Sequence, residues 1–256
     1  GYFTVLQSAD ALEWELMSAI SRMSGQKMDM IKFGKSLKLR SRLHAANSDP
    51  FHDGNGRADA LAMSCLLLYE TQNGTKSLFQ IRGRQSQALR KGMLHTVPAG
   101  MFQSPFEQPD EECSIFHCFL WEFYEELFGE KDPSSSDKKT MPTWFYARPE
   151  VEEICNYLET GYATLYFTGI AIDLLNLRPE ILLMLHINKK EWYKSHSEKE
   201  PGKGGFKFNE EWSKYKLAPA YKEEKKMFQS LELNRGSIAP PSAAALVAGI
   251  RCFSQM

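Results

Sequence analysis

Gln72-Asn73-Gly74 stands between an apolar run, Ala60 to Tyr69, and a partly alternating stretch, Ser77 to Arg84, and this arrangement commits the middle of the chain to an antiparallel hairpin. An Asn-Gly pair reaches the positive φ values of a tight turn at little steric cost, so two β-segments flanking it pair with each other. Alternation then places Leu78, Gln80, Arg82 and Arg84 on one face of the second strand and Phe79 and Ile81 on the other. Two arginines therefore project together. Met93 to Phe102 reads as a further extended segment, closed by Pro98 and Gly100.

Helical spacing appears on either side of this region. Leu12, Leu16, Ile20 and Met23 recur through Ala9 to Met23, with Ser8 or Asp10 as the cap, and predict an amphipathic helix that packs on a sheet. Pro149 to Glu159 opens with proline in its first turn, as helices do. Tyr162 to Ile172 and Ile181 to Ile187 read as buried strands, and the alanine-rich Pro241 to Phe253 as a helix suited to close packing on them. Strands interleaved with helices predict a mixed α/β fold. The serine-rich stretch 132–139 and the charged, glycine-rich stretch 198–205 interrupt it as surface loops. Asp53-Gly-Asn-Gly56 lacks the later ligands of a calcium loop and is read as a turn.

Charge and cysteine usage narrow the function classes. With 31 basic and 32 acidic residues, net charge −1, the chain is not built to coat nucleic acid, and no direct nucleic-acid binding is expected of it. Its five cysteines are scattered and odd in number, which predicts reduced core thiols and no metal-thiolate site. No apolar stretch approaches the roughly 20 residues that span a bilayer, so a cytoplasmic location and no membrane partner are expected. The chain opens at Gly1 rather than Met, which leaves a preceding segment open.

The chemistry-bearing feature is a helix following the loop at 104–110. Asp110 is its expected cap, Glu111 and Glu112 suit its N-terminal end, and Gly129 its left-handed stop. Residues three and four apart share a face, so Glu122, Glu125 and Glu126 gather beside a stripe of Phe116, Phe119, Leu120, Phe123 and Leu127. Like charges at this spacing disfavour the helix by roughly 0.2–0.5 kcal/mol per pair. No Lys or Arg between Glu111 and Glu130 offsets them. The bland reading is a solvated acidic face. The sharper one is a site for a hard cation such as Mg²⁺, which is held by one or two carboxylates with water and substrate phosphate completing its shell.

The order of elements favours the sharper reading. The strand Met93-Leu-His-Thr-Val-Pro-Ala-Gly100, a loop, and the helix Trp121-Glu-Phe-Tyr-Glu-Glu-Leu-Phe-Gly129 together resemble a divergent Nudix box. By that resemblance Gly100 matches the glycine closing the strand, and Glu122, Glu125 and Glu126 match the metal-binding glutamates. Three departures stand out: the loop is longer, Trp121 occupies the place of the family's arginine, and Gly129 lies one position late. The loop glutamate stays open among Glu107, Glu111 and Glu112. A nearer resemblance, over most of 77–253, is to the Nudix-like C-terminal domain of actinobacterial helix-turn-helix regulators. It rests on Gln80-Ile-Arg-Gly-Arg84, Gly92 to Gln103, the glutamate helix and the alanine-rich end, Ala239 to Ile250.

The resemblance implies a Nudix-type α/β/α sandwich with a mixed central sheet. It implies one Nudix-like domain over residues 1–256, with an N-terminal extension to about residue 57 and surface insertions near 130–145 and 196–206. It further implies a pyrophosphohydrolase acting on a nucleoside-diphosphate-linked substrate with Mg²⁺ or Mn²⁺, or a catalytically weak nucleotide-sensing domain of a regulatory protein. Glu122, Glu125 and Glu126 would be the catalytic and metal-holding residues. Arg82, Arg84, Gly100 and Phe102 would contact the substrate. The expected partner is a nucleotide-type small molecule, and a homodimer stays open. Arg82 and Arg84 also read as a solvated strand edge, Phe102 and Trp144-Phe145-Tyr146 as core, and His95 as structural.

Overall fold

The computed structural model describes residues 2–23, 29–46, 49, 55, 60–83, 92–102, 112–129, 143–207, 212–233 and 237–256. It divides into two compact units, one of residues 1–61 and 171–180, the other of 62–170 and 181–256.

The first unit is helical over its N-terminal part: α1 (Tyr2–Gln7), α2 (Ala9–Arg22), α3 (Met30–Ser36) and α4 (Lys38–Ala46). The predicted Ala9 helix is present, but its Ser8 side chain does not cap it and instead donates to the Thr4 carbonyl. Within this unit α2 packs on α1 and α4. Its inward face is shifted from the expected stripe: Ala9, Leu12, Glu15 and Ala19 are buried and Ile20 is exposed. Buried Glu15 has a structural partner, since its carboxylate accepts the Leu39 and Arg40 N–H groups at 2.6 and 3.1 Å and so satisfies the orphan donors at the start of α4. Leu12, Leu43 and Leu177 form a small apolar cluster beside it.

The second unit holds a seven-stranded sheet. Its strands are β1 (Ala62–Thr71), β2 (Gly74–Arg82), β3 (Leu94–Thr96), β4 (Ala99–Met101), β5 (Ala163–Ile172), β6 (Pro179–Ile187) and β7 (Trp212–Pro219), the last residues of β5 and the first of β6 falling in the stretch assigned to the first unit. Their order is β3-β2-β1-β6-β5, with β4 also on β1 and β7 also on β2. The expected hairpin is β1–β2, with Thr71 opposite Gly74 and Gly74 at φ 99°. The extended segment at 93–102 is divided by the cis Val97–Pro98 peptide, β3 pairing with β2 and β4 with β1.

The helices of this unit are α5 (Ile115–Phe128), α6 (Thr143–Tyr146), α7 (Pro149–Thr160), α8 (Trp192–Glu198), α9 (Glu224–Ser230) and α10 (Pro240–Ser254). They cover both faces of the sheet. Met63, Cys65, Leu67 and Tyr69 of β1 join a core with α5, α6 and α7, whereas Leu66 and Leu68 join a second core with α9 and α10. Burial on both faces is why β1 reads as a continuous apolar run rather than an alternation. The fold is thus the expected α/β/α sandwich. Close packing of the alanine-rich helix is also observed: a side chain at Gly249 would collide with Leu66, and Ser242 accepts the Thr96 N–H at 3.0 Å.

Two expectations need correction. β5 closes one end of the strand order and is mostly half-exposed, unlike buried β6. Of the five free thiols only Cys65 and Cys118 are buried, and Cys113 is exposed. The strand β7 and the helices α8 and α9 carry too little periodicity to have been anticipated. Among the described residues no helix is long and apolar enough to cross a membrane.

Candidate functional site

The glutamates lie on α5, whose start differs from the expectation. Asp110 and Glu111 fall outside the described residues, and Ser114 is the cap, accepting the His117 N–H at 3.1 Å. The stop is as expected, with Gly129 left-handed at φ 67°. From His117 to Phe128 only Glu125 escapes burial, so α5 is enclosed nearly all round and is not a helix with one solvated side.

That enclosure decides between the two readings of the acidic face. Glu122 is 8% and Glu126 4% exposed, while Glu125 is half-buried. Carboxylates are almost never buried without compensation, so a solvated charged face does not describe this helix. Both buried carboxylates meet β4. Glu126 Oε2 accepts the Ala99 N–H at 2.9 Å. The Glu122 carboxylate lies directly against Gly100, where any Cβ would overlap it. A side chain at this position would have to displace the Glu122 carboxylate, and glycine leaves that space to the acid.

The sheet continues this polar ground. Gln80 of β2 lies opposite His95 of β3 on one side and Tyr215 of β7 on the other. Gln80 alternates with Phe79 and so shares its face with Leu78, which packs in the α5 core. All three residues of the row are well covered: Gln80 is fully buried and His95 buried, and burial followed by the nearby Glu126 charge pushes the Tyr215 phenol upward. The Gln80 amide has no hydrogen-bond partner among the described residues. Alternation had put Gln80 on this face, but nothing in the sequence singled it out, and Tyr215 gave no signal because β7 was not foreseen.

Other expected residues are placed as follows. Arg82 ends β2 opposite Trp212 beyond a register shift, and Arg84 lies outside the described residues. Phe102 packs half-buried against the α5 core, as do Trp144 and Tyr157. Trp121 is buried in that core, its ring centroid 5.2 Å from that of Phe145. The indole at the place of the family's arginine packs against α6. His117 Nδ1 lies 2.6 Å from the Tyr146 hydroxyl, and burial lowers its pKa.

Of the three glutamates expected to hold a metal, Glu122 and Glu126 are the two that would hold a hard divalent cation. Among the described residues no three His, Cys, Asp or Glu side chains converge as a metal-binding group. Glu122 and Glu126, however, are adjacent on one helix face, both buried, and both against β4. Two carboxylates are the usual complement of Mg²⁺, and two like charges enclosed together favour a bound cation.

No protein-family model matches the sequence, and no curated protein matches it. Similar solved structures are Nudix domains. The Nudix domain of Shewanella oneidensis NrtR, solved with ADP ribose, is 11% identical with a TM-score of 0.44, over 83% of this chain and 97% of that one. A Nudix hydrolase from Alicyclobacillus acidocaldarius is 14% identical with a TM-score of 0.42, over 76% and 92%. The hydrolase RenU from M. smegmatis is 11% identical with a TM-score of 0.40, over 79% and 92%.

Proposed function

We propose that this chain is a divergent Nudix-type pyrophosphohydrolase that binds a nucleoside-diphosphate-linked substrate and cleaves its pyrophosphate bond. One observation carries the reading: Glu122 and Glu126 are both buried against β4, with Gly100 vacating the space that the Glu122 carboxylate fills. An acidic face kept for solubility has no reason to be enclosed or matched to a glycine.

Glu122 and Glu126 would hold Mg²⁺ or Mn²⁺, with Glu125 at the margin. A divalent ion bound there would neutralise the charge that develops on phosphate oxygens during cleavage. The Ala99 N–H fixes Glu126, and Glu122 lies against Gly100. Arg82 and Arg84 would clamp phosphate through their planar forks, and Phe102 would border the substrate. The half-exposed Glu125 carboxylate would receive a proton from an attacking water.

A second reading is a nucleotide sensor without turnover, favoured by the engagement of Trp121 in the aromatic core where the family has an arginine. The deciding experiment incubates the chain with Mg²⁺ and a panel including ADP-ribose and dinucleoside polyphosphates. Release of a nucleoside monophosphate that is lost in Glu126→Gln supports the hydrolase. Thermal stabilisation by a panel member with no product selects the sensor, and neither effect with any member rejects both.

A further inference from the structure

A cavity of about 660 Å³ opens at the C-terminal end of α5, lined by Tyr124, Phe128 and Gly129, by the start of α7, and by the segment that follows α8. Its walls come entirely from the second unit. Four cations reach it, Arg148, Lys199, Lys203 and Lys207, against two carboxylates, Glu150 and Glu153.

One of the two carboxylates is already committed. Glu153 accepts the Tyr157 hydroxyl at 2.5 Å and lies 3.0 Å from His196 Nε2, with Lys199 felt as a further charge. Lys203 is held by Glu200 at 2.7 Å, outside the lining. Arg148 and Lys207 have no carboxylate within ion-pair distance among the described residues. Arg148 is also oriented in advance: its guanidinium carbon sits 4.8 Å from the centre of the Trp144 ring, and its Nε is buried with no hydrogen-bond partner among the described residues. A half-buried cation without a counter-charge bears the loss of its hydration uncompensated.

The backbone of the cavity is fixed as well. Gly202 and Gly204 adopt φ of 81° and 80°, and a side chain at Gly205 would collide with the Lys199 carbonyl. Fully buried His196 ties this loop down, its Nδ1 lying 2.5 Å from the Gly204 carbonyl. Pro149 and Glu150 start the 12-residue α7 at the same wall, which adds the positive end of its dipole.

We propose that this cavity is a second ligand site, for a phosphorylated small molecule, with Arg148, Lys199 and Lys207 holding the phosphate. A guanidinium fork backed by lysines matches phosphate oxygens. The volume falls within the roughly 300–1,000 Å³ of small-molecule sites and exceeds what a bare ion needs, and Tyr124 and Phe128 offer an apolar wall to the organic part. The site is independent of the carboxylate face.

The test titrates the full chain with inorganic pyrophosphate and with AMP in EDTA, following heat of binding and melting temperature. Lys199→Gln with Lys207→Gln alters only exposed side chains, so folding is retained. Binding of either probe that weakens about 10-fold or more in this double variant, as expected for losing two charge-assisted contacts, and persists in Glu126→Gln, supports the site. A larger effect from AMP than from pyrophosphate points to an organic ligand, the reverse to a condensed phosphate. The proposal is overturned by absence of binding, by binding indifferent to the two lysines, by binding lost in Glu126→Gln, or by equal stabilisation from sulfate at matched ionic strength.

Discussion

Helix α5 carries two charged regions of opposite construction. Along its side, Glu122 and Glu126 are enclosed, Glu126 bonded to the Ala99 N–H and Glu122 lying against Gly100; at its C-terminal end, lysines project from the rim of an open cavity. In the first, position is imposed by backbone and by the absence of a side chain, so each atom matters. In the second, charge is spread over flexible stems whose contributions add. Single substitutions should accordingly be severe at the first region and mild at the second.

The largest effect is expected from Glu126→Gln. Glutamine keeps an oxygen for the Ala99 N–H but removes the charge that a divalent ion needs. Magnesium-dependent turnover should fall by about 100-fold or more, in the range of losing a principal catalytic group, with little change in melting temperature. If melting temperature collapses as well, the carboxylate is holding the fold, and the contrast between the two regions fails.

Gly100→Ala comes next. The new methyl would occupy the place of the Glu122 carboxylate, and β4 is paired to β1 on that stretch, with Met63 opposite Gly100. Overpacking of this kind costs about 1–3 kcal/mol, readable by denaturant unfolding. Glu122→Ala in the same chain should restore most of that loss without restoring turnover. Failure of the restoration would show that Gly100 is required for another reason.

Gln80→Leu should act in the opposite direction. A fully buried amide without a partner among the described residues is a stability deficit, and an apolar residue of similar size raises unfolding free energy by about 1 kcal/mol. If the amide faces substrate, nucleotide affinity falls while stability rises. A drop in stability instead would mean that the amide is satisfied within the fold.

The sequence was most informative where local rules act alone. The Asn73-Gly74 turn, the proline that opens α7 and the left-handed Gly129 are decided by backbone conformation within a few residues, and each stands where expected. The glutamates and Gly100 were identified by pattern, yet their fit to each other is a tertiary contact, which spacing along the chain does not report. Helix periodicity assumes a wet side, so it cast α5 as amphipathic; β4 covers Glu122 and Glu126, and Phe145 of α6 packs on Trp121 and Tyr124. Tyr215 and Gln80 meet only because β7 adds to β2 from more than 130 positions away, a pairing with no local signature.

The smallest predicted effect lies at the cavity. Burial alone would raise the Glu153 pKa, but His196, Tyr157 and Lys199 outweigh it and hold the carboxylate below its ordinary value. A folded-state pKa below that of the unfolded chain stabilises the protein above the unfolded value, and this contribution is lost as pH falls through the folded value. Tyr157→Phe removes one of the donors, and because Glu153 is partly open to solvent the cost near neutral pH should stay under about 1 kcal/mol. The loss should shrink as pH drops from about 5 to 3, since the hydrogen bond matters most to the ionised acid. Unfolding free energies of the two chains measured across that interval should therefore converge. Curves that stay parallel would show that Tyr157 acts by packing alone, leaving the charge balance of the cavity to its lysines, Arg148 and His196.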